Sequence, residues 1–402
     1  MVYTLRDYQQ QSSDAAVRFF SDPNSSKHNG LIILPTGAGK SLVIADIASK
    51  IDEPLLVLQP SKEILEQNHA KLMSYGVWDC SIYSASLNRK EINRITFATI
   101  GSVMANLDDF NVFHKILIDE CHLVNPRGGQ YKEFIEAVEG RQVIGLTATP
   151  YRLGQTIDPK TINSKWKKYG SILKFLTRTR PRVFDQVLYY CQVKTLLEGG
   201  FLAKLRYFDM NALELDRVKL NSTGADYDDK SLFKEFERVG FFEYTLNIVK
   251  RVMRPKDGSL RHGILVFCRF VEDAERLADE LCGFCEVVSG ATPKKEREAI
   301  LERFKSGETE VVANVGVLST GVDFPALDTI ILARPTMSLA LFYQMVGRAI
   351  RPYPGKDGWV IDLCGSVAKF GKVEDLWLDH DERGGWIITS NGKQLTNIIM
   401  TK

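Results

Sequence analysis

Between residues 31 and 150 five short apolar runs recur at helix-length intervals: LIILPTG, PLLVLQP, ITFATI, KILIDE and QVIGLTATP. Each is too short and too evenly apolar for an amphipathic helix, and turn residues bound each one. The pattern therefore predicts strands buried on both faces. Segments 41–50 and 62–75 have the length and patterning of the helices that cover such strands. A parallel sheet follows, and ligands of such sheets sit at the carboxyl ends of the strands. A second series starts near Gly263 with GILVFC, CEVVSG, EVVANV, TIILA and WVIDLC, separated by predicted helices over 271–281, 294–305 and 338–351. It predicts a second α/β lobe, with no close internal repeat relating the two.

The strand rhythm stops between 151 and 262. A mostly helical insertion and a crossover are expected there, with EGGFLAKLRYFDM forming a turn and a strand. Within it, residues 159–182 hold Lys160, Lys165, Lys167, Lys168, Lys174, Arg178, Arg180 and Arg182 without an acid, and Trp166, Tyr169 and Phe175 lie among them. Such a stretch either grips duplex or a partner or is a solvated helix face. Past Phe370, DERGGWIITSNGK predicts a hairpin, because Asn391 and Gly392 favour a tight turn. The expected domains are 1–152, 153–245 (insertion and crossover), 246–370 and a small tail, 371–402.

Composition narrows the class. With 44% hydrophobic and 25% charged positions over 402 residues, the chain can build two or three cores. A net charge of +2 permits a nucleic-acid partner without requiring one. Seven scattered cysteines, an odd number, argue against a disulfide framework and for a reducing, cytoplasmic compartment. No apolar run reaches the roughly 18 residues of a membrane span, so no membrane association is expected. CGFC, residues 282–285, follows a predicted helix instead of opening one, which is the wrong end for a redox pair, and no second pair completes a zinc site.

The chemistry concentrates in a few motifs. LPTGAGKS follows a predicted strand and opens a predicted helix, the context of a phosphate loop. Thr36, Gly37, Ala38, Gly39, Lys40 and Ser41 are its candidates: the glycines let backbone N–H groups face phosphate oxygens, Lys40 reaches the β and γ phosphates, and Ser41 offers its hydroxyl to magnesium. Leu34 stands where the general pattern has glycine. In ILIDECH, Asp119 and Glu120 end a strand. Two acids buried together call for a cation, so Asp119 is the magnesium candidate and Glu120 the candidate for activating water. His122 has no histidine at ligand spacing and reads either as a polar link to the other lobe or as a surface residue. Thr147 and Thr149 of GLTATP either bond the acidic cluster or simply finish a strand. Arg152, just beyond, touches either phosphate or backbone. In LRDYQ, the Gln9 amide can donate to and accept from an adenine edge, with Arg6 or Tyr8 beside the base.

In the second lobe, helical spacing would put Gln344, Arg348 and Arg351 on one face of a helix that Pro352 stops. Two cations there invite an anion, the γ-phosphate of a bound nucleotide. In NVGVLSTGVDFPAL, Gly321 allows close backbone approach, Asp323 suits ribose or an arginine, and Ser319 and Thr320 suit a nucleic-acid backbone.

Taken in order, LRDYQ, LPTGAGKS, DECH, TATP, STGVDFP and QMVGRAIRP resemble the motifs of superfamily 2 helicases and translocases, over about residues 1–370. TLRDYQQ, DECH, GLTATPYRLG and ILARPTMSLALFYQMVGRAIRPYPGK are most similar to RadD-type DNA repair ATPases, with phage and restriction-linked translocases as neighbours. The resemblance implies two RecA-like parallel-sheet lobes in tandem, ATP and Mg2+ as cofactors, and single-stranded or branched DNA as partner, with RNA as the alternative. It implies a monomer in a bacterial or phage-infected cell, with a repair protein as a further partner. It gives Lys40 the phosphate, Asp119 the magnesium, Glu120 the water, Gln9 the adenine, and Arg348 and Arg351 the finger roles. Ser61 and Lys62 of QPSKEIL, Thr99 of ATIGSV and Arg269 of CRF match strand-contacting segments. RadD-type proteins add a cysteine-rich zinc module after the second lobe, which the sequence to Lys402 does not contain. A P-loop protein-remodelling switch is the reading from another class.

Overall fold

All five runs of the first series become strands, and their burial explains why: Leu55–Gln59 and Lys115–Asp119 are buried at every position. The computed structural model describes residues 4–138, 140–157, 163, 165, 169–256, 258–318 and 324–399. The chain divides into two units. Unit 1 holds residues 1–152, 174–192 and 378–387, and unit 2 holds 153–173, 193–377 and 388–402.

Unit 1 is built on β1 (Asn29–Ile33), β2 (Leu55–Gln59), β3 (Cys80–Ser84), β4 (Arg89–Lys90), β5 (Ile95–Thr99), β6 (Lys115–Asp119) and β7 (Gln142–Thr147). A ribbon, β8 (Tyr151–Ile157) and β9 (Tyr169–Phe175), follows, most of it assigned to unit 2, and β10 (Gln186–Tyr190) pairs with β1. The sheet order is β10-β1-β7-β6-β2-β5-β3-β4, parallel in every pair except β3 with β4. Helices α1 (Asp7–Ser21), α2 (Lys40–Lys50), α3 (Lys62–Met73), α4 (Ile100–Met104) and α5 (Gln130–Ala137) belong to it. The crossovers bring the ends of β1, β7, β6, β2 and β5 to one edge, where the predicted motifs lie.

Unit 2 contains α6 (Val193–Glu198), β11 (Leu205–Asp209), α7 (Asp229–Val239), α8 (Phe241–Met253), β12 (Ile264–Cys268), α9 (Val271–Glu280), β13 (Cys285–Val288), α10 (Lys294–Ser306), β14 (Val311–Asn314), β15 (Thr329–Ala333), α11 (Leu339–Val346), β16 (Gly358–Asp362) and α12 (Ser366–Phe370). Its parallel sheet runs β11-β16-β15-β12-β14-β13. Phe236, Val266, Ile331 and Leu363 belong to its core. Past α12 come β17 (Leu376–His380), β18 (Trp386–Ser390) and β19 (Lys393–Gln394). The last two close the expected hairpin, with Asn391 and Gly392 both at positive φ.

Three expectations need correction. The segment 153–245 is mixed, not mostly helical: β10 joins the first sheet and β11 the second. QVLYY and LRYFD carry the β-branched and aromatic residues that favour strands, but their partners are distant in sequence. The segment therefore does not form a domain of its own, and its residues are shared between the two units. Finally, the helix predicted over 338–351 ends at Val346. Gly347 gives poor helix propensity, the N–H groups of Arg348 and Ala349 bond three residues back, and Pro352 disfavours helical geometry at Arg351. In the basic stretch, Lys160, Trp166, Lys167 and Lys168 lie outside the described residues, and Arg178 pairs with Asp381.

Candidate active site

The phosphate loop joins β1 to α2 through Gly37 at φ 83° and Gly39 at φ 80°. Gly39 caps α2 in the left-handed region, and a Cβ there would lie 2.5 Å from Nε2 of Gln9. The conformation demands glycine, and any side chain there would push the Gln9 amide aside. Leu34 is fully buried, and its N–H donates to the Thr147 carbonyl at 3.1 Å, continuing the pairing of β1 with β7. Position 34 thus belongs to the strand, which accounts for an apolar residue where a loop would carry glycine.

The start of α1 docks on this loop. Tyr8 Oη and Gln9 Nε2 both donate to the Ala38 carbonyl, at 2.9 and 2.8 Å, and Gln9 Oε1 accepts from the Arg6 N–H at 3.0 Å. One N–H and one lone pair of the Gln9 amide remain for a further partner, the pair an adenine edge needs. Arg6 Nη1 lies 3.3 Å from Tyr8 Oη.

Across the tips of β1, β6 and β7 runs a polar chain. Lys40 Nζ is 3.5 Å from Glu120 Oε1, and Glu120 Oε2 is 3.2 Å from His122 Nδ1. That nitrogen is 2.9 Å from Thr147 Oγ1, which accepts from the Thr149 N–H at 3.0 Å. His122 is 8% exposed, so it is not a surface histidine, and Glu120 and Thr147, which it meets, both belong to unit 1. The threonines reach the acids through this histidine. Arg152 donates to the carbonyls of His122 and Leu123, both at 3.1 Å, and so touches backbone.

Glu120 sits at φ 48°, ψ 46°, a left-handed conformation that costs a non-glycine residue on the order of 1–2 kcal/mol. The turn separates the two carboxylates' partners: Glu120 meets Lys40 and His122, whereas Asp119 accepts from the Glu120 N–H at 2.9 Å and from Asn68 Nδ2 at 3.3 Å. Burial, then the charge of Glu120, pushes the Asp119 carboxyl up. Burial pushes Glu120 up too, but Lys40 and His122 together outweigh it and hold its carboxyl down. Of the two carboxyls, Glu120 is the one held toward its charged form.

The donor set at Asp119 fits a hydrated divalent cation. Its carboxylate is buried and disfavoured as an anion without further positive charge, and Asn68 Oδ1 beside it is buried with no donor. Ser41, in the first turn of α2, supplies a hydroxyl. Mg2+ held by Asp119 and Ser41 would neutralise phosphate charge. Asn68 carried no sequence signal, because it is 51 residues from the acid it orients. Asn68→Ala is expected to raise the Mg2+ concentration for half-maximal ATPase by roughly tenfold, as loss of an outer-shell partner does. A Mg2+ titration at saturating ATP checks this. Among the described residues no group of three or more His, Cys, Asp or Glu is arranged to hold a metal.

The strand-contact candidates of unit 1 lie on the same edge. Ser61 caps α3, accepting from the Ile64 N–H at 3.4 Å, Lys62 follows it, and Thr99 Oγ1 is 3.0 Å from Ser102 Oγ. Gln59 pairs with Thr99, so the three leave neighbouring strands, on the side of β6 away from the phosphate loop.

In unit 2, Gln344 is on α11, Arg348 lies in the turn after it and is 7% exposed, and Arg351 follows, half-buried. The common helical face predicted for them does not form. Lys356 Nζ donates to the Arg351 carbonyl at 2.8 Å and to the Pro325 carbonyl at 2.9 Å, fixing the segment's exit. Arg269 departs from expectation. Its guanidinium pairs with Asp226 at 3.0 Å and Asp229 at 2.7 Å and is 12% exposed, so it anchors α7 and its approach instead of presenting a free cation. Ser319, Thr320, Gly321 and Asp323 lie outside the described residues.

Among the described residues no helix is long and apolar enough to cross a membrane. Residues 2–152 match the family model "Type III restriction enzyme, res subunit", and residues 245–353 match "Helicase conserved C-terminal domain". The chain is 25% identical over 394 residues to a putative ATP-dependent helicase, IRC3, of Saccharomyces cerevisiae, covering 90% of this chain and 52% of that protein. It is 25% identical over 365 residues to the DNA 3'-5' translocase XPB2 of Sulfurisphaera tokodaii, covering 86% and 78%. The chain thus spans about half of the yeast relative and over three quarters of the archaeal one. Among solved structures, a fragment of a putative HsdR subunit of a type I restriction enzyme from Vibrio vulnificus shares the fold, with a TM-score of 0.64, 22% identity and coverage of 96% and 71%.

Proposed function

The chain belongs to superfamily 2 of the helicases and translocases, and on that premise we propose that it is a DNA-dependent ATPase that converts hydrolysis into movement along a strand, in repair or recombination. The observation that carries this reading is the chain Lys40, Glu120, His122, Thr147 across three adjacent strand tips. Lys40 takes the phosphates, and Glu120 takes a proton from the attacking water. His122 reports the state of Glu120 to the threonines and, through its carbonyl, to Arg152. The relatives named for ATP-dependent and DNA-directed activity support the same substrate pair.

In the proposed cycle the triphosphate held by Lys40 is also met by Arg348 and Arg351, and loss of the γ-phosphate releases that bridge. DNA is gripped mainly by its phosphates, through Ser61, Lys62 and Thr99 on the first sheet's edge. The test compares ATPase rates with no nucleic acid, single-stranded DNA, forked DNA and RNA. DNA is expected to raise the rate most. Equal rates in all four arms would replace this reading with a nucleotide switch, and stimulation by RNA alone would reassign the substrate.

A further inference from the structure

Cys268 of β12 pairs with Ala333 of β15, so the next residue on each strand, Arg269 and Arg334, leaves adjacent strand ends at the carboxyl edge of the second sheet. Two guanidiniums placed there repel each other unless anions separate them. Arg269 has both nearby carboxylates: Asp226 at 3.0 Å and Asp229 at 2.7 Å, plus the Tyr227 carbonyl at 3.4 Å. Asp226 is further committed, since its other oxygen accepts from the Met337 N–H at 3.2 Å.

Arg334 is served differently. Among the described residues it makes no hydrogen bond and no ion pair within 4.0 Å, and its Nε is buried without an acceptor. Burial, then the neighbouring Arg269, pushes its guanidinium down, against the smaller opposing pull of Asp226 and Asp229. A half-buried guanidinium with unused donors at a strand tip calls for an external acceptor with negative charge, and its planar fork matches a phosphate.

We propose that Arg334 binds a phosphate oxygen of the nucleic-acid backbone, as the second unit's cation at the strand edge where Arg269 is internally neutralised. The assignment rests on the nucleic-acid reading above. Phosphate could also come from ATP. In the reading above the phosphates of ATP are already assigned to Lys40, Arg348 and Arg351, which leaves the nucleic-acid backbone as the phosphate for Arg334.

The test measures binding of a mixed-sequence single-stranded DNA to the wild-type chain, Arg334→Gln and Arg334→Lys across a salt series by fluorescence anisotropy. One lost phosphate contact lowers the magnitude of the slope of log affinity against log salt by about 0.7 for a single strand. Arg334→Gln should show that reduction and Arg334→Lys should keep the wild-type slope, a distinction that a merely structural role would not produce. An unchanged slope in Arg334→Gln overturns the assignment while leaving DNA binding intact. A weaker affinity for ATP with an unchanged DNA slope assigns Arg334 to the nucleotide and overturns it as well. Absence of DNA and RNA binding by the wild-type chain removes the nucleic-acid reading and this proposal together. Should Arg334→Gln fail to fold, arginine-selective dicarbonyl modification of the wild-type chain, mapped by peptide, decides: DNA protects Arg334, and equal modification with and without DNA refutes the contact.

Discussion

Glu120→Gln is expected to bind ATP and fail to turn it over, with kcat lower by roughly 10²–10⁴-fold, the usual contribution of a positioned general base. Glutamine keeps the shape of the side chain and can still meet His122 and Lys40, so nucleotide affinity should change little, but it cannot take a proton. The low carboxyl of Glu120 is by itself ill-suited to a base. Its largest downward influence is Lys40, at 3.5 Å. When phosphate draws Lys40 away, that influence weakens, burial regains control, and the carboxylate becomes more basic at the moment water must be activated. Binding of a fluorescent nucleotide measured beside steady-state turnover separates the two effects. Turnover at the parent rate would remove Glu120 from the chemistry.

The first site was legible because its chemistry is local. Gly37, Gly39, Lys40 and Ser41 fall within five residues, and Asp119 and Glu120 are adjacent, so spacing alone carried the geometry. What spacing could not show is which side chains distant segments bring in. Asn68 orients Asp119 from α3, and β10 reaches β1 from more than 150 residues away in sequence. Arg269 reads as a strand-contacting residue from its motif because Asp226 and Asp229, which neutralise it, lie about forty residues upstream. Arg334 drew no attention because only the pairing of β12 with β15 sets it beside Arg269. Helical periodicity misled at Arg348 and Arg351: it counts residues without weighing Gly347 or Pro352, which end the helix before either arginine.

That early end bears on the remaining prediction. Arg348 is buried in the turn after α11, and the Arg351 backbone is tied down by Lys356. A finger that meets developing charge gains from such fixing, since little reorganisation is left for the reaction step. Arg351→Ala is expected to lower kcat by roughly 10³–10⁵-fold, the range for removing a transition-state arginine, with a much smaller change in ATP affinity. Arg351→Lys should recover little, because an ammonium lacks the planar fork. Arg348→Ala should act in the same direction and also lower thermal stability, since it truncates a 7% exposed side chain. Single-turnover hydrolysis at saturating ATP, paired with a thermal melt, separates the two arginines. If Arg351→Ala hydrolyses ATP at the parent rate while Glu120→Gln does not, Arg351 leaves the chemistry and Arg348 alone keeps the proposed finger role.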